Sequence, residues 1–332
     1  MTSVRDDVET QLARIDDVDQ LVNAVCTINP AALDDAVALD GMEEAQRGPL
    51  WGRTVLVKDN IDTAGLLTTA GSLALAETPP EADAPMVTRL KRAGMVVLGK
   101  ANLSEWANLR DEHSTSGWSA YGGLTRNPYG LNRSAGGSSA GSGAGVSARL
   151  AAFAIGTETD GSITCPAAFN GCVGLKPTVG LLPTTGIVPI SASQDTPGPM
   201  ALTVAETAAV LSALTDTDAD YAAHATPDGL QGKRIGVPRK IFWGYNPLAD
   251  AAAEHAVELL SAAGATIVDG TDLHAMVDYG FDDELLVLLA EIEAGMRDYL
   301  ATRHDGPRSL ADIVEFNRVH ADEELSHFGQ SF

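Results

Sequence analysis

Ser134-Ala135-Gly136-Gly137-Ser138-Ser139-Ala140-Gly141-Ser142 and, past an apolar run, Gly156-Thr157-Glu158-Thr159-Asp160-Gly161-Ser162-Ile163 carry two glycine-framed serines. Neither has a histidine nearby in sequence, and a serine nucleophile needs a group to take its proton. The candidate acceptor lies upstream, at Lys58 in Thr54-Val55-Leu56-Val57-Lys58-Asp59-Asn60. Thr54 to Lys58 reads as a short buried strand whose alternation puts Thr54, Leu56 and Lys58 on one face. Burial disfavours the ammonium form and lowers the lysine pKa, and a neutral amine can accept a proton directly or through an intervening hydroxyl. Ser138, in a turn where glycine opens unusual backbone angles, is the candidate bridge from Lys58 to Ser162. Thr159, Asp160 and Gly161 would place successive backbone N–H groups around a reacting carbonyl, a nest that stabilises an oxyanion. The three segments suggest a serine hydrolase whose base is lysine.

Each residue also has a plainer reading. Lys58 alone reads as a surface lysine or half of an ion pair with Asp59. Ser138 alone reads as the N-cap of the following helix, as do Ser139 and Ser142, and Ser162 as a turn or cap serine. Glu158 and Asp160 invite a paired-carboxylate reading, but orienting backbone is the better role, because nothing else resembles a glycosidase site. Cys165 and Cys172 read as core thiols. Gly141-Ser142-Gly143-Ala144-Gly145-Val146 fails the dinucleotide pattern, and no glycine precedes Lys-Ser/Thr in phosphate-loop fashion.

Composition narrows the class. The 332 residues hold 22 basic and 45 acidic side chains, a net charge of −23, and six of the basic residues are lysine. Such a field repels phosphate backbones, which argues against nucleic-acid binding through a basic surface. Acid-rich, lysine-poor surfaces also resemble those of salt-adapted proteins. The 3 cysteines fit reduced thiols, not a disulfide framework, and no Cys/His grouping has zinc spacing. The start of the chain shows no apolar signal segment and no uncharged run reaches membrane-spanning length, so a cytoplasmic location is expected.

The chain reads as alternating helices and strands, an α/β fold. Helices are expected over 4–26, 30–47, 85–94, 204–214, 247–263, 282–303 and 308–328. Strands are expected over 54–58, 95–99, 151–156, 233–238 and 265–268. Ser104 is expected to cap a short helix through Trp106. Residues 111–137 read as a long ordered loop. No clean linker divides the chain, and 216–232 is its weakest point.

Together these segments resemble the amidase signature family, whose motif runs GGSS, a long apolar stretch, then G-T-x-T-x-G-S-I. Cys172-Val173-Gly174-Leu175-Lys176-Pro177-Thr178 matches it too. Leu98 to Asn108, Ser116 to Ala120 and Ser193-Gln194-Asp195-Thr196-Pro197-Gly198-Pro199-Met200 are similar to the bacterial peptide-amidase branch. Asp160 stands where the family commonly has glycine, Thr164 where it has arginine, and Ala140 replaces another glycine.

The resemblance implies a mixed central sheet with helices on both faces. It implies a Ser–cis-Ser–Lys triad: Ser162 as nucleophile, Ser138 as bridge on a cis peptide after Gly137, and Lys58 as base. It also implies hydrolysis of a carboxamide without a metal or organic cofactor. Gly137 would join the oxyanion or substrate-binding groups, and Asp195 would orient the site or bind substrate, or cap a turn. The chain reads as one amidase domain, with N-terminal helices to about 48, a signature core over about 50–215 and a C-terminal region over about 233–332. It stops at Phe332, short of the family's usual end, so the fold is expected to be incomplete there unless a homodimer or a complementing chain completes it. Two other readings stay open: the amidase subunit of a glutamyl-tRNA(Gln)/aspartyl-tRNA(Asn) amidotransferase, and a truncated inactive homologue.

Overall fold

Ser3 caps the first helix, α1 (Val4–Val22), its hydroxyl accepting from the Asp6 N–H at 3.0 Å. Helical spacing turns Val4, Val8, Ile15 and Val22 inward. The apolar periodicity runs on to Val25, but the helix stops at Val22. Asn23 adopts the left-handed conformation (φ 56°), and the Asp19 carboxylate accepts the N–H groups of Ala24 and Val25 at 2.7 and 3.0 Å. Residues expected to end a helix therefore form a strand, β1 (Val25–Ile28). The computed structural model describes residues 3–272 and 281–331. It divides into one unit of Met1–Ala219 with Leu288–Phe332 and a second of Asp220–Val287.

The first unit is built on a mixed six-stranded sheet. Besides β1 it contains β2 (Thr54–Lys58), β3 (Val96–Ala101), β4 (Phe153–Glu158), β5 (Val173–Gly174) and β6 (Thr196–Ala201), in the order β1-β3-β2-β4-β6-β5. β2 runs parallel to both neighbours, and β1, β5 and β6 join antiparallel. Every residue of β2 is buried, as expected for an apolar run inside a sheet covered on both faces. One face, with Leu56, Leu98, Ala154 and Met200, packs against α1, α2 (Ala32–Asp40) and α4 (Ala140–Ser147). The alternate residues Val55, Val57, Phe153 and Ile155 are equally buried on the other face. α3 (Pro85–Arg92) and α6 (Val204–Leu214) lie against β3, β6 and each other, and α5 (Thr164–Asn170) lies against α4.

α4 contains only small residues, and the close approach it makes requires them. A Cβ on Gly141 would sit 2.3 Å from the Ala24 carbonyl oxygen and 2.5 Å from the Asn102 nitrogen.

β6 was not anticipated, because Pro197 and Pro199 argue against a strand. The Pro199 carbonyl accepts from Leu175 N–H, so both prolines face the β5 side, where β5 pairs only with Met200 and Ala201. Their missing N–H groups cost the ladder with β4 nothing. Within 111–137 two short ribbons form, Trp118–Ser119 with Gly123–Leu124 and Arg126–Asn127 with Gly130–Ser134. Ser104 precedes a short 3-10 helix, but its Oγ accepts from Gly117 N–H at 2.8 Å and does not cap the helix.

In the second unit, β7 (Arg234–Val237) and β8 (Thr266–Asp269) pair in parallel around α7 (Pro247–Ala262), which Asn246 caps. α8 (Phe281–Leu300) re-enters the first unit. There Leu288, Ile292, Met296 and Tyr299, with Ile313 of α9 (Leu310–Val319), cluster against Trp106, Val188 and Ile190. The helix expected to reach residue 328 ends at Val319. Beyond it Glu324 turns inward, and its Oε1 accepts from Ser72 Oγ and Leu73 N–H at 3.1 and 2.7 Å. No helix among the described residues is long and apolar enough to cross a membrane.

Candidate active site

Lys58 ends β2 with no exposed surface. Its Nζ meets Ser138 Oγ at 2.8 Å, Thr157 Oγ1 at 2.9 Å and the Thr157 carbonyl at 3.2 Å. Among the described residues it makes no ion pair. Asp59, its neighbour in sequence, pairs instead with the equally buried Lys100 at 3.5 Å. Lys100 also donates to the Ile61 carbonyl at 2.7 Å and to Thr68 Oγ1 at 2.9 Å. The two buried lysines thus differ: Lys100 has a carboxylate partner and Lys58 has hydroxyls and a carbonyl. Burial pulls the Lys58 pKa down to about 7, against a partial upward pull from Asp195 and Glu158.

Ser138 is fully buried and follows a cis Gly137–Ser138 peptide bond. Its carbonyl accepts from Ser104 N–H at 3.0 Å. A Cβ on Gly137 would lie 2.2 Å from Ser104 Oγ, so any larger residue there must displace the Ser104 side chain. Ser139 precedes α4 but its side chain makes no capping bond to that helix. It joins the two serine segments instead: its N–H donates to the Ser162 carbonyl at 3.0 Å, and its Oγ bonds the Thr157 carbonyl at 3.1 Å. Ser142 Oγ similarly donates to the Ile155 carbonyl at 3.0 Å.

Ser162 lies between Gly161, at φ 72°, and the start of α5. Glu158 holds this turn: its Oε2 accepts the N–H groups of Ile163 and Thr164 at 2.6 and 2.8 Å. Its carboxylate therefore orients backbone, and Asp160 is exposed. Among the described residues the N–H groups of Asp160, Gly161 and Ser162 meet no acceptor, which leaves them free to bind an oxyanion.

Asp195 both caps a turn and braces the site. Its Oδ2 accepts from Ile190 and Ser191 N–H at 2.8 and 3.0 Å, and its Oδ1 accepts from Thr159 Oγ1 at 2.5 Å. Burial pushes its carboxyl up, and these donors pull it back. Sequence reasoning assigned no role to Lys176, whose Nζ donates to the Thr159 carbonyl at 2.6 Å, or to Glu291, whose Oε2 accepts from Ser191 Oγ and Ser193 N–H at 2.5 and 3.0 Å. Lys176 stood inside a motif. Glu291 is on α8 and carried no local signal. Cys26, Cys165 and Cys172 are free and half-buried.

Ser138, Thr157, Thr159 and Asp195 line a narrow cleft walled by Ile187, Val188 and Ile190. A serine hydroxyl beside a lysine whose pKa burial lowers to about 7, unpaired N–H groups nearby and an adjacent cleft are groups that acyl transfer can use.

The amidase family profile matches residues 6–327. The chain is 37% identical to a putative amidase of Arthroderma benhamiae, over 97% of this chain and 58% of that protein. The native peptide amidase structure from Stenotrophomonas maltophilia superposes with a TM-score of 0.93 at 46% identity, over 99% of this chain and 71% of that one. A glutamyl-tRNA(Gln) amidotransferase subunit from Thermotoga maritima superposes at 0.70 with 29% identity, over 95% of this chain and 66% of that one. The chain spans 58 to 66% of the length of the first curated relatives it matches.

Proposed function

Because the chain belongs to the amidase family, we propose that it hydrolyses a carboxamide to carboxylate and ammonia through a seryl acyl-enzyme. The observation that carries this reading is a fully buried lysine, without a carboxylate partner among the described residues, 2.8 Å from a serine hydroxyl. In the reaction Ser162 attacks the amide carbon, and its proton passes through Ser138 to neutral Lys58. The N–H groups of Asp160, Gly161 and Ser162, free among the described residues, stabilise the oxyanion. The protonated lysine returns the proton through Ser138 to the departing nitrogen. Water then cleaves the ester by the same relay. Asp195 fixes Thr159 and the wall of the cleft.

A peptide amide is the favoured substrate class. The likeness to the peptide amidase is closer in sequence and superposition than the likeness to the amidotransferase. Ser162→Ala is expected to end ammonia release from a C-terminal peptide amide while leaving the near-UV circular dichroism unchanged. Retained turnover would remove Ser162 from its role. Faster release from glutamine than from any peptide amide would favour the amidotransferase reading.

A further inference from the structure

A neutral amine has one lone pair and two N–H bonds, and it turns freely about its last C–N bond. The reaction proposed above works only when that lone pair faces Ser138. As an ammonium, Lys58 Nζ has three hydrogens for three oxygens: Ser138 Oγ at 2.8 Å, Thr157 Oγ1 at 2.9 Å and the Thr157 carbonyl at 3.2 Å. The carbonyl can only accept, so it always holds one N–H. The Thr157 hydroxyl can accept or donate. If it donated, its proton would capture the lone pair and turn it from Ser138.

Asn60 holds that hydroxyl from the other side. Its Nδ2 donates to Thr157 Oγ1 at 2.9 Å. That bond keeps Oγ1 facing Lys58 and leaves one lone pair of Oγ1 for an N–H of the amine. We propose that Thr157 and Asn60 are positioning residues that pin both N–H bonds of the neutral Lys58 amine and leave its lone pair directed at Ser138.

Two further observations support this. Asn60 is 4% exposed and among the described residues its Oδ1 has no partner, an unfavourable place for an amide whose side chain bonds there to Thr157 alone. The Thr157 backbone is fixed independently: Ser139 Oγ bonds its carbonyl at 3.1 Å and its N–H at 3.2 Å. Replacing the side chain thus leaves the strand anchored. The charged groups facing the amine are Asp195 and Glu158, with Lys176 3.9 Å from Glu158, while Asp59 is engaged by Lys100. None of these is altered by the variants below.

The chain has six lysines, so NMR of ¹³Cε-labelled lysine resolves Lys58, assigned by its loss in Lys58→Met. Thr157→Val removes one acceptor from the ammonium, and its titration midpoint is expected to fall by about one pH unit. Against a peptide amide, kcat/KM at pH 9, where the amine is neutral in both proteins, is expected to fall about tenfold because the lone pair is no longer held toward Ser138, roughly the factor that one hydrogen bond represents. Thr157→Ser is expected to restore both. Asn60→Leu is expected to lower the midpoint less, and to lower it no further when combined with Thr157→Val, because it acts through that hydroxyl. An unchanged midpoint in Thr157→Val or in Asn60→Leu, or additive shifts in the double variant, would overturn the proposal. The titration needs no turnover. A chain that shows the shift but releases no ammonia would count against the proposed reaction and leave the positioning role standing.

Discussion

Lys58→Met is expected to stabilise the folded chain at neutral pH while ending turnover. The folded-state pKa of Lys58 is about 7, against an ordinary value of 10.5. Between these pH values the unfolded chain holds a proton that the folded chain does not, so stability rises with pH across that window. Below about pH 7 the full penalty of burial is present, and it is relieved as pH approaches 10.5. At 1.36 kcal/mol per pH unit the gap corresponds to about 5 kcal/mol. Methionine escapes that penalty but gives up the hydrogen bonds of the amine, about 2 kcal/mol for two neutral bonds. Ser139 Oγ still serves the Thr157 carbonyl and Asn60 still serves Thr157 Oγ1, but the buried Ser138 hydroxyl loses its bond to the amine, at a cost of about 1 kcal/mol. The expected net gain at pH 7 is therefore about 2 kcal/mol. Urea unfolding of both proteins at several pH values measures it. The advantage of the variant should be largest at and below pH 7, should vanish between about pH 8 and pH 9, and should reverse by about pH 10.5, where only the lost hydrogen bonds remain. A variant less stable than wild type at pH 7, or an advantage that does not change with pH, would refute the reasoning.

Other expectations follow from packing and charge. Gly137→Ala places its Cβ 2.2 Å from Ser104 Oγ. It should cost about 2 kcal/mol in urea unfolding and most of the activity, and adding Ser104→Ala should recover part of both. Glu105, buried beside Glu324 and Arg110, has its pKa held up to about 8, chiefly by burial and then by Glu324. The folded chain therefore keeps a proton that the unfolded chain releases, and stability falls as pH rises from about 4.5 to about 8. Glu324→Gln supplies an N–H in place of the shared proton, so its unfolding free energy should change less between pH 6 and pH 9 than that of wild type.

What could be read from the sequence follows from how local the physics is. Thr54–Lys58 and Val204–Leu214 form as expected to the residue, because a buried apolar run and a threonine-capped periodic segment are signals contained in the elements themselves. Lys58, Ser138 and Ser162 stood out for similar reasons: glycine-framed turns and a lysine ending an apolar strand are unusual in isolation. β6 was hidden because its prolines are tolerated only by the short reach of β5, a fact of sheet order. Asp59 looked like the natural partner of Lys58, yet adjacent strand residues point to opposite faces, and Asp59 finds Lys100 on β3. Glu324 and Glu291 reach their partners from distant helices, and Asn60 and Thr157 matter only through contacts that alignment of β2 with β4 creates.

The central claim is that a neutral, buried Lys58 draws a proton from serine. The pH dependence of kcat/KM for ammonia release from a peptide amide tests it most directly. The account predicts a rate that rises tenfold per pH unit on the acid side and levels off above a midpoint near 7, the value that burial sets for Lys58. A rate independent of pH between 5 and 9, or a midpoint near 10, would contradict it.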